Sequence, residues 1–266
     1  MIARIGPSEM ERGLGVFSSE AIEYASRQLR VDGAVILEDI VDTALIGQAR
    51  LAFGTRYARY LDGSKHDDAL EIGGRRLQIT IDLEPPFDDP WLFANPWVLP
   101  ILSAALDKDF VLSGCVVACS LPGAPTQHFH ADGGILFPRF GIEQMLPASA
   151  IQVAIPLLEM NDIHGTTALS LGSHRNTGPV ADMVRIEPVV REGSCLLWDY
   201  RLFHGGTTNR STMPRPLLTL LYCRPWWIDH LNFRRQAPIR ASKGSLARLP
   251  QQYKPLLARA QTPKKS

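Results

Sequence analysis

The stretch VLSGCVVACSLPGAPTQHFHADGG, residues 111–134, joins a long apolar run to a Pro- and Gly-rich turn and then to a short run with two histidines and an aspartate. Further β-rich runs, separated by Pro and Gly, continue as far as residue 223. Regular short strands with turn signals between them are typical of a sandwich or barrel. The predicted strands are residues 111–120, 127–130, 151–157, 167–170, 184–190, 194–202 and 217–223.

The region before residue 110 predicts helices and short strands. Apolar residues at helical spacing, together with capping residues, indicate three helices, and short apolar or alternating runs indicate two strands. The predicted helices run from Ser18 or Ser19 to about Leu29, from Asp42 to about Tyr60, and from about Val98 to Leu106. The predicted strands are residues 34–37, which should be buried, and residues 76–81, which should be half-buried.

Composition limits the classes of function that the chain can have. Hydrophobic residues make up 45% and charged residues 21%, so a sizeable core can form. The formal net charge of +1 leaves no overall field to attract a nucleic acid or a charged membrane surface. We therefore expect neither of these as a partner, and the sequence leaves a homodimer open.

The location of the protein and the state of its cysteines follow from the lack of export signals. The N-terminus MIARIGPSEMERG has no basic flank and apolar stretch of the secretory kind, and no apolar run reaches transmembrane length. We therefore expect a cytoplasmic protein. Because Cys115, Cys119, Cys195 and Cys223 lie in apolar, strand-like segments, free buried thiols are expected rather than disulfides.

The segment QHFHADGG, residues 127–134, carries candidate metal ligands. Side chains alternate along a strand, so residues 128, 130 and 132 should share one face. His130 and Asp132 could then occupy adjacent positions around a metal, and one more imidazole would complete a two-histidine, one-carboxylate site with open positions. A His-x-Asp alone is a weak signal, but the later segment HGGTTNRSTMPRP, residues 204–216, supplies another histidine.

Three blocks, taken in order, resemble the phytanoyl-CoA dioxygenase-like family of Fe(II)/2-oxoglutarate-dependent oxygenases. They are QHFHADGG at residues 127–134, GTTALSLGSHR at residues 165–175 and HGGTTNRSTMPRP at residues 204–216, and the similarity runs from about Arg76 to Arg224. The resemblance implies a mainly β, α+β fold: a double-stranded β-helix, or jelly roll of the cupin kind, with mostly N-terminal helices packed on one sheet. We expect one domain over residues 1–266, with a mainly helical part at 1–109, the jelly-roll core at 110–225 and a C-terminal extension at 226–266.

The resemblance also implies a ligand set. His130, Asp132 and His204 would bind the iron and form the catalytic centre. Arg215 would hold the far carboxylate of 2-oxoglutarate, since a planar guanidinium can grip a carboxylate with two parallel hydrogen bonds. Arg210 is the competing candidate for that role, and a surface salt bridge is the alternative use of Arg215.

Four further residues fall where relatives place polar groups near the co-substrate. They are Gln127, Thr167, Arg76 and Gln78. Ordinary strand hydrogen bonding is the alternative explanation for them, and for Arg76 also a solvated side chain. His128 would be a neighbour that lines the pocket rather than a fourth ligand, and Trp226, Trp227 and Phe233 would either close one end of the pocket or pack in the core.

The function implied by the resemblance is that of an oxidoreductase, a dioxygenase with Fe(II) as cofactor and with 2-oxoglutarate and O2 as co-substrates. It would release succinate and oxidise an unactivated C–H bond of a small-molecule substrate. Hydroxylation of a small metabolite in natural-product metabolism is the expected reaction, while desaturation, ring closure or rearrangement stay open. Asp132 argues against a halogenase, because those relatives have a small residue there.

Three alternatives belong to other substrates or other classes. The first is an acyl-CoA hydroxylase of the same family. The second is a non-catalytic metal-binding jelly-roll protein, which nothing in the sequence favours because the ligands and the arginine are all present. The third is a metal-dependent hydrolase or isomerase on a cupin-like barrel, which would need further His or Glu ligands.

Overall fold

The computed structural model of the chain describes residues 1–134, 136–137, 139–140, 142, 145–175, 183–233 and 236–260. Within these ranges the strands are β1 (Arg4–Ile5), β2 (Ala34–Leu37), β3 (Leu70–Gly73), β4 (Arg76–Thr80), β5 (Val111–Ser120), β6 (Ala150–Pro156), β7 (Thr167–Leu169), β8 (Cys195–Asp199), β9 (His204–Gly206) and β10 (Arg215–Cys223). The α-helices are α1 (Glu9–Leu14), α2 (Ser19–Val31), α3 (Thr43–Arg56), α4 (Pro90–Phe93), α5 (Leu99–Leu106) and α6 (Lys243–Arg248). Short 3₁₀ helices cover Ala58–Leu61, Ser173–Arg175 and Gln251–Tyr253.

The strands form two sheets of unequal size. The large sheet has eight strands in the order β1-β2-β8-β6-β10-β5-β4-β3, and the small sheet pairs β7 with β9. Neighbouring strands are antiparallel except for β1 and β2, which are parallel. The first 109 residues therefore supply half of the large sheet as well as most of the helices.

The large sheet lies between the helices and the small sheet. Helices α2, α3 and α5 bury their apolar faces against one side of it, and fully buried side chains of this kind contribute about 1.5–3 kcal/mol each. That main core includes Leu29, Phe53, Ile101, Val153 and Leu220. The other side of the sheet faces β7 and β9, and a smaller core there includes Ala154, Leu169 and Leu217. This layering confirms the prediction of helices packed on one sheet.

The predicted helices form close to where the sequence places them. Helix α2 begins after Ser18, whose hydroxyl accepts a hydrogen bond from the backbone N–H of Ala21 and so caps the helix. The predicted helix from Asp42 to about Tyr60 ends earlier, at Arg56, and a 3₁₀ helix follows it. Helices α1, α4 and α6 and the strands β1, β3 and β9 were not predicted, because runs this short carry little periodicity.

Two predicted strands are wrong as continuous strands. In residues 127–130, the N–H of Gln127 donates to the carbonyl of Gly206, and the N–H of His130 donates to the carbonyl of His204. The chain therefore advances three residues on this segment, from 127 to 130, while it advances only two on β9, from 204 to 206. This extra residue is a β-bulge, which interrupts the ladder. Residues 184–190 make only isolated bridges, at Ile186 and Val190, because Pro188 between them has no N–H to donate.

The prediction of a half-buried β4 is also wrong, since four of its five residues are buried. The strand lies inside the large sheet, with one face on the main core and the other on the space between the sheets. All four cysteines are free and buried, as predicted. Among the described residues, none of the helices has the length and apolar character that a membrane crossing needs.

Candidate metal and co-substrate site

His130 and His204 are brought together by direct backbone pairing between the segment after the bulge and β9. The N–H of His130 donates to the carbonyl of His204 at 2.9 Å, and the N–H of His204 donates to the carbonyl of His130 at 2.7 Å. Residues paired in this way project their side chains from the same face. The two imidazole rings accordingly lie with their centroids 4.7 Å apart.

Backbone carbonyls fix the orientation of both rings. The Nδ1 atom of His130 lies 2.9 Å from the carbonyl of His128, and that of His204 lies 2.9 Å from the carbonyl of Leu202. A carbonyl can only accept, so each Nδ1 carries the proton and donates it. In the neutral ring, each Nε2 then presents its lone pair, which is the arrangement of a metal-binding histidine held by an outer hydrogen bond.

Asp132 faces both of these Nε2 atoms. Its Oδ1 lies 3.4 Å from Nε2 of His130, and its Oδ2 lies 3.4 Å from Nε2 of His204. One ligand atom from each of the three residues lies within 4.8 Å of the others. Two lone pairs and a carboxylate repel one another unless a cation lies between them, so the donor set fits a divalent metal.

The protonation of these groups follows from burial and from their mutual charges. Burial lowers the pKa of His204, which favours its neutral, ligating form. For Asp132, burial acts to raise the pKa, but the charge that His204 and His130 carry when doubly protonated, with a hydrogen bond from such a His130, outweighs it and lowers the pKa. For His130, burial acts to lower the pKa, but Asp132 stabilises the doubly protonated ring by a hydrogen bond and by its charge and so raises the pKa, which means that a proton on Nε2 competes with a metal for this position.

A polar network from the C-terminal part of the chain supports the loop that holds Asp132. The hydroxyl of Tyr200 donates to Oδ2 of Asp229 at 2.6 Å, and the carboxamide of Asn232 contacts both at 3.0 Å. The same carboxamide lies 3.4 Å from the carbonyl of Asp132, and Gly133 donates its N–H to the carbonyl of Tyr200 at 2.8 Å. We call these three side chains, Tyr200, Asp229 and Asn232, the latch.

Two buried guanidinium groups lie further along the space between the sheets. Arg215 is 4% exposed, and among the described residues its Nη1 contacts only the sulfur of Met160, at 3.3 Å, while its Nε has no partner. Arg76 is 3% exposed and donates to the hydroxyl of Ser120 at 2.7 Å and to the carbonyls of Pro125, at 2.8 Å, and Thr207, while its Nε also has no partner among these residues. Burial lowers the pKa of each arginine to about 10, and for Arg215 the neighbouring charge of Arg76 adds to the effect.

Neither guanidinium forms an ion pair with a carboxylate of the described residues. A buried charge without a counter-ion is costly, so the pair creates a site that favours an anion. Gly206 is needed beside it, since a Cβ atom there would lie 2.6 Å from Nη1 of Arg76. The unpaired Nε atoms and the planar guanidinium groups fit a carboxylate. This is the chemistry expected of residues that hold the far carboxylate of 2-oxoglutarate.

A single cavity of about 410 Å³ contains the whole set of candidate residues. Its lining includes the eight residues predicted from sequence, which are Arg76, Gln78, Gln127, His130, Asp132, Thr167, His204 and Arg215. Arg210 is exposed, donates to the carbonyl of Asp162 at 2.9 Å and is not part of the lining. His128 lines the cavity without joining the group of possible ligands, and its side chain is exposed.

The weaker candidates are partly used by the protein itself. Gln127 donates to the carbonyl of Ile72 at 2.6 Å and accepts from the N–H of Gly206 at 3.0 Å, so it ties β9 to the hairpin of β3 and β4. Gln78 donates to the carbonyl of Asn232 at 3.3 Å. Among the described residues, the hydroxyl of Thr167 contacts only the sulfur of Met160, at 4.0 Å, and so stays available to a ligand.

Sequence reasoning did not find several residues of the lining. They are Gln152, Trp198, Tyr200, Asn232 and, as a defined part of the cavity wall, Phe233. For Gln152 the signal exists in the sequence, because it interrupts an apolar strand on the face that alternation assigns to the space between the sheets. For Asn232 no local pattern marks the position.

Comparisons with known proteins place this geometry in context. The family model "Phytanoyl-CoA dioxygenase (PhyH)" matches residues 29–217, which is more than half of the chain. Dioxygenase trt7 of Aspergillus terreus is 29% identical over 107 residues, which cover 39% of this chain and 37% of that protein. The chain therefore matches little more than a third of the length of this curated relative.

Solved structures of low sequence identity share the fold. The 2-oxoglutarate-dependent epimerase SnoN from nogalamycin biosynthesis, in complex with Fe3+, alpha ketoglutarate and nogalamycin RO, has a TM-score of 0.59 at 16% identity, over 78% of this chain and 85% of that chain. EctD from S. alaskensis with bound Fe has a TM-score of 0.57 at 18% identity, over 78% and 77%. AviO1 from Streptomyces viridochromogenes Tue57 has a TM-score of 0.58 at 18% identity, over 79% and 98%. These likenesses confirm the predicted fold class.

Proposed function

The chain belongs to the phytanoyl-CoA dioxygenase family, and from this premise we propose that it hydroxylates a C–H bond of a small metabolite, with His130, Asp132 and His204 as the ligands of its iron. The co-substrates are 2-oxoglutarate and O2. The atoms balance as follows: substrate R–H, 2-oxoglutarate and O2 give R–OH, succinate and CO2, with one oxygen atom in the alcohol and the other in succinate.

The observation that supports this proposal is the convergence of two imidazole lone pairs and one carboxylate beside two buried guanidinium groups, whose Nε atoms have no partner and which form no ion pair among the described residues. Three protein ligands leave metal positions open, and ferrous iron bound there supplies the activation of O2 and of the C–H bond. His130 and His204 hold the metal through Nε2, and their hydrogen bonds to backbone carbonyls keep each ring in the ligating tautomer.

The co-substrate would lie between the metal and the two arginines. Arg215 would donate hydrogen bonds to its far carboxylate, Arg76 would add positive charge, and the 2-oxo acid end would then be directed toward His130, Asp132 and His204. Since both guanidinium groups are buried, such bonds are stronger than they would be in water. Thr167 offers a free hydroxyl from β7, and Gln127 keeps β9 in place.

The proposal is tested first without oxygen. Addition of ferrous iron and then 2-oxoglutarate to the anaerobic protein should give a weak visible charge-transfer band, which requires both to bind at one centre. Admission of air should then consume 2-oxoglutarate and form succinate. Absence of the band in the wild-type protein would contradict the proposal.

The substrate and the reaction type are then tested together. A panel of metabolites is screened for compounds that raise the rate of succinate formation, and the products are analysed for an added oxygen atom. The matched control is the Asp132→Ala variant, which should form no succinate with any compound. A product of unchanged mass, or one that has lost two hydrogen atoms, would replace hydroxylation by isomerisation or desaturation on the same centre.

A further inference from the structure

The cavity has two chemically different ends. Along the large sheet, the register makes Arg76, Ser120 and Arg215 cross-strand neighbours at one end. Gly114, Leu221, Gln152 and Trp198 are cross-strand neighbours near the other end. We call the first set the arginine end and the second set the amide end. Arg215 and Leu221 lie six residues apart on β10, so the two ends are about 20 Å apart at about 3.3 Å per residue.

Positive charge is confined to the arginine end. Among the described residues that line the cavity, the arginines are Arg76 and Arg215, and lysine is absent. The far carboxylate of 2-oxoglutarate occupies these two groups in the proposed function. A second anionic group, carried by the substrate, would find no arginine or lysine among the described residues that line the amide end, and would meet the negative charge of Asp132 instead.

Gln152 is a buried polar group without a partner at the amide end. It is 7% exposed and lines the cavity, yet its carboxamide makes no hydrogen bond to any described residue. Its cross-strand neighbour Trp198 has its ring centroid 5.3 Å from that of His204, so Gln152 lies beside the proposed metal centre. Because this carboxamide faces the cavity, it is free to form hydrogen bonds with a ligand that enters it.

Apolar side chains form the rest of this end. Gly114 leaves room for the ring of Phe233, since a Cβ atom at Gly114 would lie 2.8 Å from Cζ of that ring. Leu221 on β10 and Leu231 before Phe233 extend the same wall. A ligand here therefore meets the free carboxamide of Gln152 in mostly apolar surroundings, in which the indole N–H of Trp198 also has no partner among the described residues. A few polar groups in an apolar wall are the usual composition of a small-molecule site.

We propose that the amide end receives the substrate, and that the substrate is an uncharged molecule with an apolar body whose carbonyl or hydroxyl group is hydrogen-bonded by Gln152. This inference rests on the proposed function, because it assigns 2-oxoglutarate to the arginine end. Gln152 acts as a specificity-determining residue: it places the bond to be oxidised next to the metal without taking part in the chemistry.

The test uses the anaerobic wild-type protein loaded with ferrous iron and 2-oxoglutarate. The probes are matched triplets, each an amide, a carboxylate and an ammonium compound on one apolar skeleton with one to three rings. Binding is measured by the change that each probe causes in the charge-transfer band. The amide of at least one triplet should bind about tenfold more tightly than its carboxylate, the effect of one well-placed hydrogen bond.

Variants of Gln152 separate recognition from folding. Gln152→Leu should lower the affinity for the amide about tenfold, and Gln152→Glu should shift the preference to the ammonium compound. Thr219→Val is the matched control, because Thr219 lines the same face but its hydroxyl already donates to the carbonyl of Val116 at 3.3 Å. It should change no affinity.

The outcomes distinguish this inference from the proposed function. If the wild-type protein shows no charge-transfer band before any probe is added, the proposed function fails. If the band forms but carboxylates bind as tightly as amides, if no triplet binds, or if Gln152→Leu and Gln152→Glu leave the preference of a folded, band-forming protein unchanged, the inference is overturned.

Discussion

The two sheets that enclose the cavity are built in different ways. In the large sheet, β10 pairs with β5 from Arg215 to Cys223 and with β6 over most of that length, and all nine residues of β10 are buried. In the small sheet, β7 and β9 have three residues each, and the segment that pairs with β9 contains a bulge. The long ladder is a rigid frame, whereas the short one has few hydrogen bonds of its own.

The candidate groups are divided between the sheets in the same way. The large sheet carries Arg76 and Arg215, and its strands hold both charged groups at fixed, buried positions where they can bind an anion. The small sheet and its bulged neighbour carry His130 and His204, and the following turn carries Asp132. A bulge re-aims side chains, and bulges are common next to active sites. The comparison therefore predicts that changes at the small sheet affect the metal and changes in the large sheet affect co-substrate binding or stability.

Removal of the carboxylate at the small sheet should have the largest effect. In Asp132→Ala the two Nε2 atoms remain but the negative ligand is lost, so iron retention and succinate formation should fall by more than the ~10–100-fold that loss of an outer hydrogen-bond partner costs. Iron content after desalting and succinate release measure this. His128→Ala, in the same segment but outside the ligand group, is the control and should retain iron. Normal turnover of Asp132→Ala would remove it from the ligand set.

Removal of the guanidinium in the large sheet should act on 2-oxoglutarate and leave the iron in place. Arg215→Ala should raise the 2-oxoglutarate concentration for half-maximal rate by about tenfold to 100-fold, since hydrogen bonds to charged groups are worth about 1.5–3 kcal/mol. Steady-state kinetics with varied 2-oxoglutarate measure this.

The control for Arg215 is Arg210→Ala, because that exposed side chain bonds to the carbonyl of Asp162. It should leave the 2-oxoglutarate requirement unchanged. If Arg210→Ala raised the requirement and Arg215→Ala did not, the anchoring role would pass to Arg210.

Two buried tyrosines allow a matched comparison of the support for the Asp132 loop with the support for the large sheet. Tyr200→Phe removes the latch hydroxyl that bonds Asp229 and Asn232, so the loop of Asp132 is held less firmly and iron affinity should fall about tenfold, as for other outer-shell partners. Tyr222→Phe in β10 leaves the carbonyl of Phe93 unpaired and should cost about 1–3 kcal/mol in the free energy of unfolding.

Iron titration and denaturant unfolding of both variants measure these effects. Tyr222→Phe should bind iron as the wild-type protein does once it is folded. Equal iron affinity in Tyr200→Phe and Tyr222→Phe would show that the latch does not support the metal centre.

The same division explains what the sequence predicts. The bounds of β5 agree with the prediction residue for residue, because a long apolar strand between turn signals carries its own pattern. The predicted strand at residues 127–130 fails because a bulge adds one residue that no local pattern marks. The proposed ligands could still be named from the sequence, since the residue types and the order of the three blocks point to them without regard to the local strand pairing, and the structure brings these three residues together.

The rest of the site depends on contacts that are distant in the chain. Tyr200 meets Asp229 and Asn232, 29 and 32 positions later, and no periodicity links residues so far apart. Gln152 is visible only as a polar residue in the apolar strand β6, and its closeness to His204 requires the pairing of β6 with β8. The sequence therefore predicts the fold and the proposed ligands, whereas the latch and the amide end can be identified only from the tertiary structure.

Thiol labelling should show the smallest effect, because every cysteine belongs to the large sheet. Cys115 and Cys119 lie in β5, where burial raises the pKa of each thiol to about 12, and Cys195 and Cys223 lie in β8 and β10. A thiol reagent at neutral pH should react with none of them in the native protein, and chelation of the iron should expose none within the time that the denatured chain needs to react fully. A cysteine that becomes reactive on chelation alone would contradict this prediction. It would show that the large sheet opens when the metal is removed, and so that its stability depends on the metal.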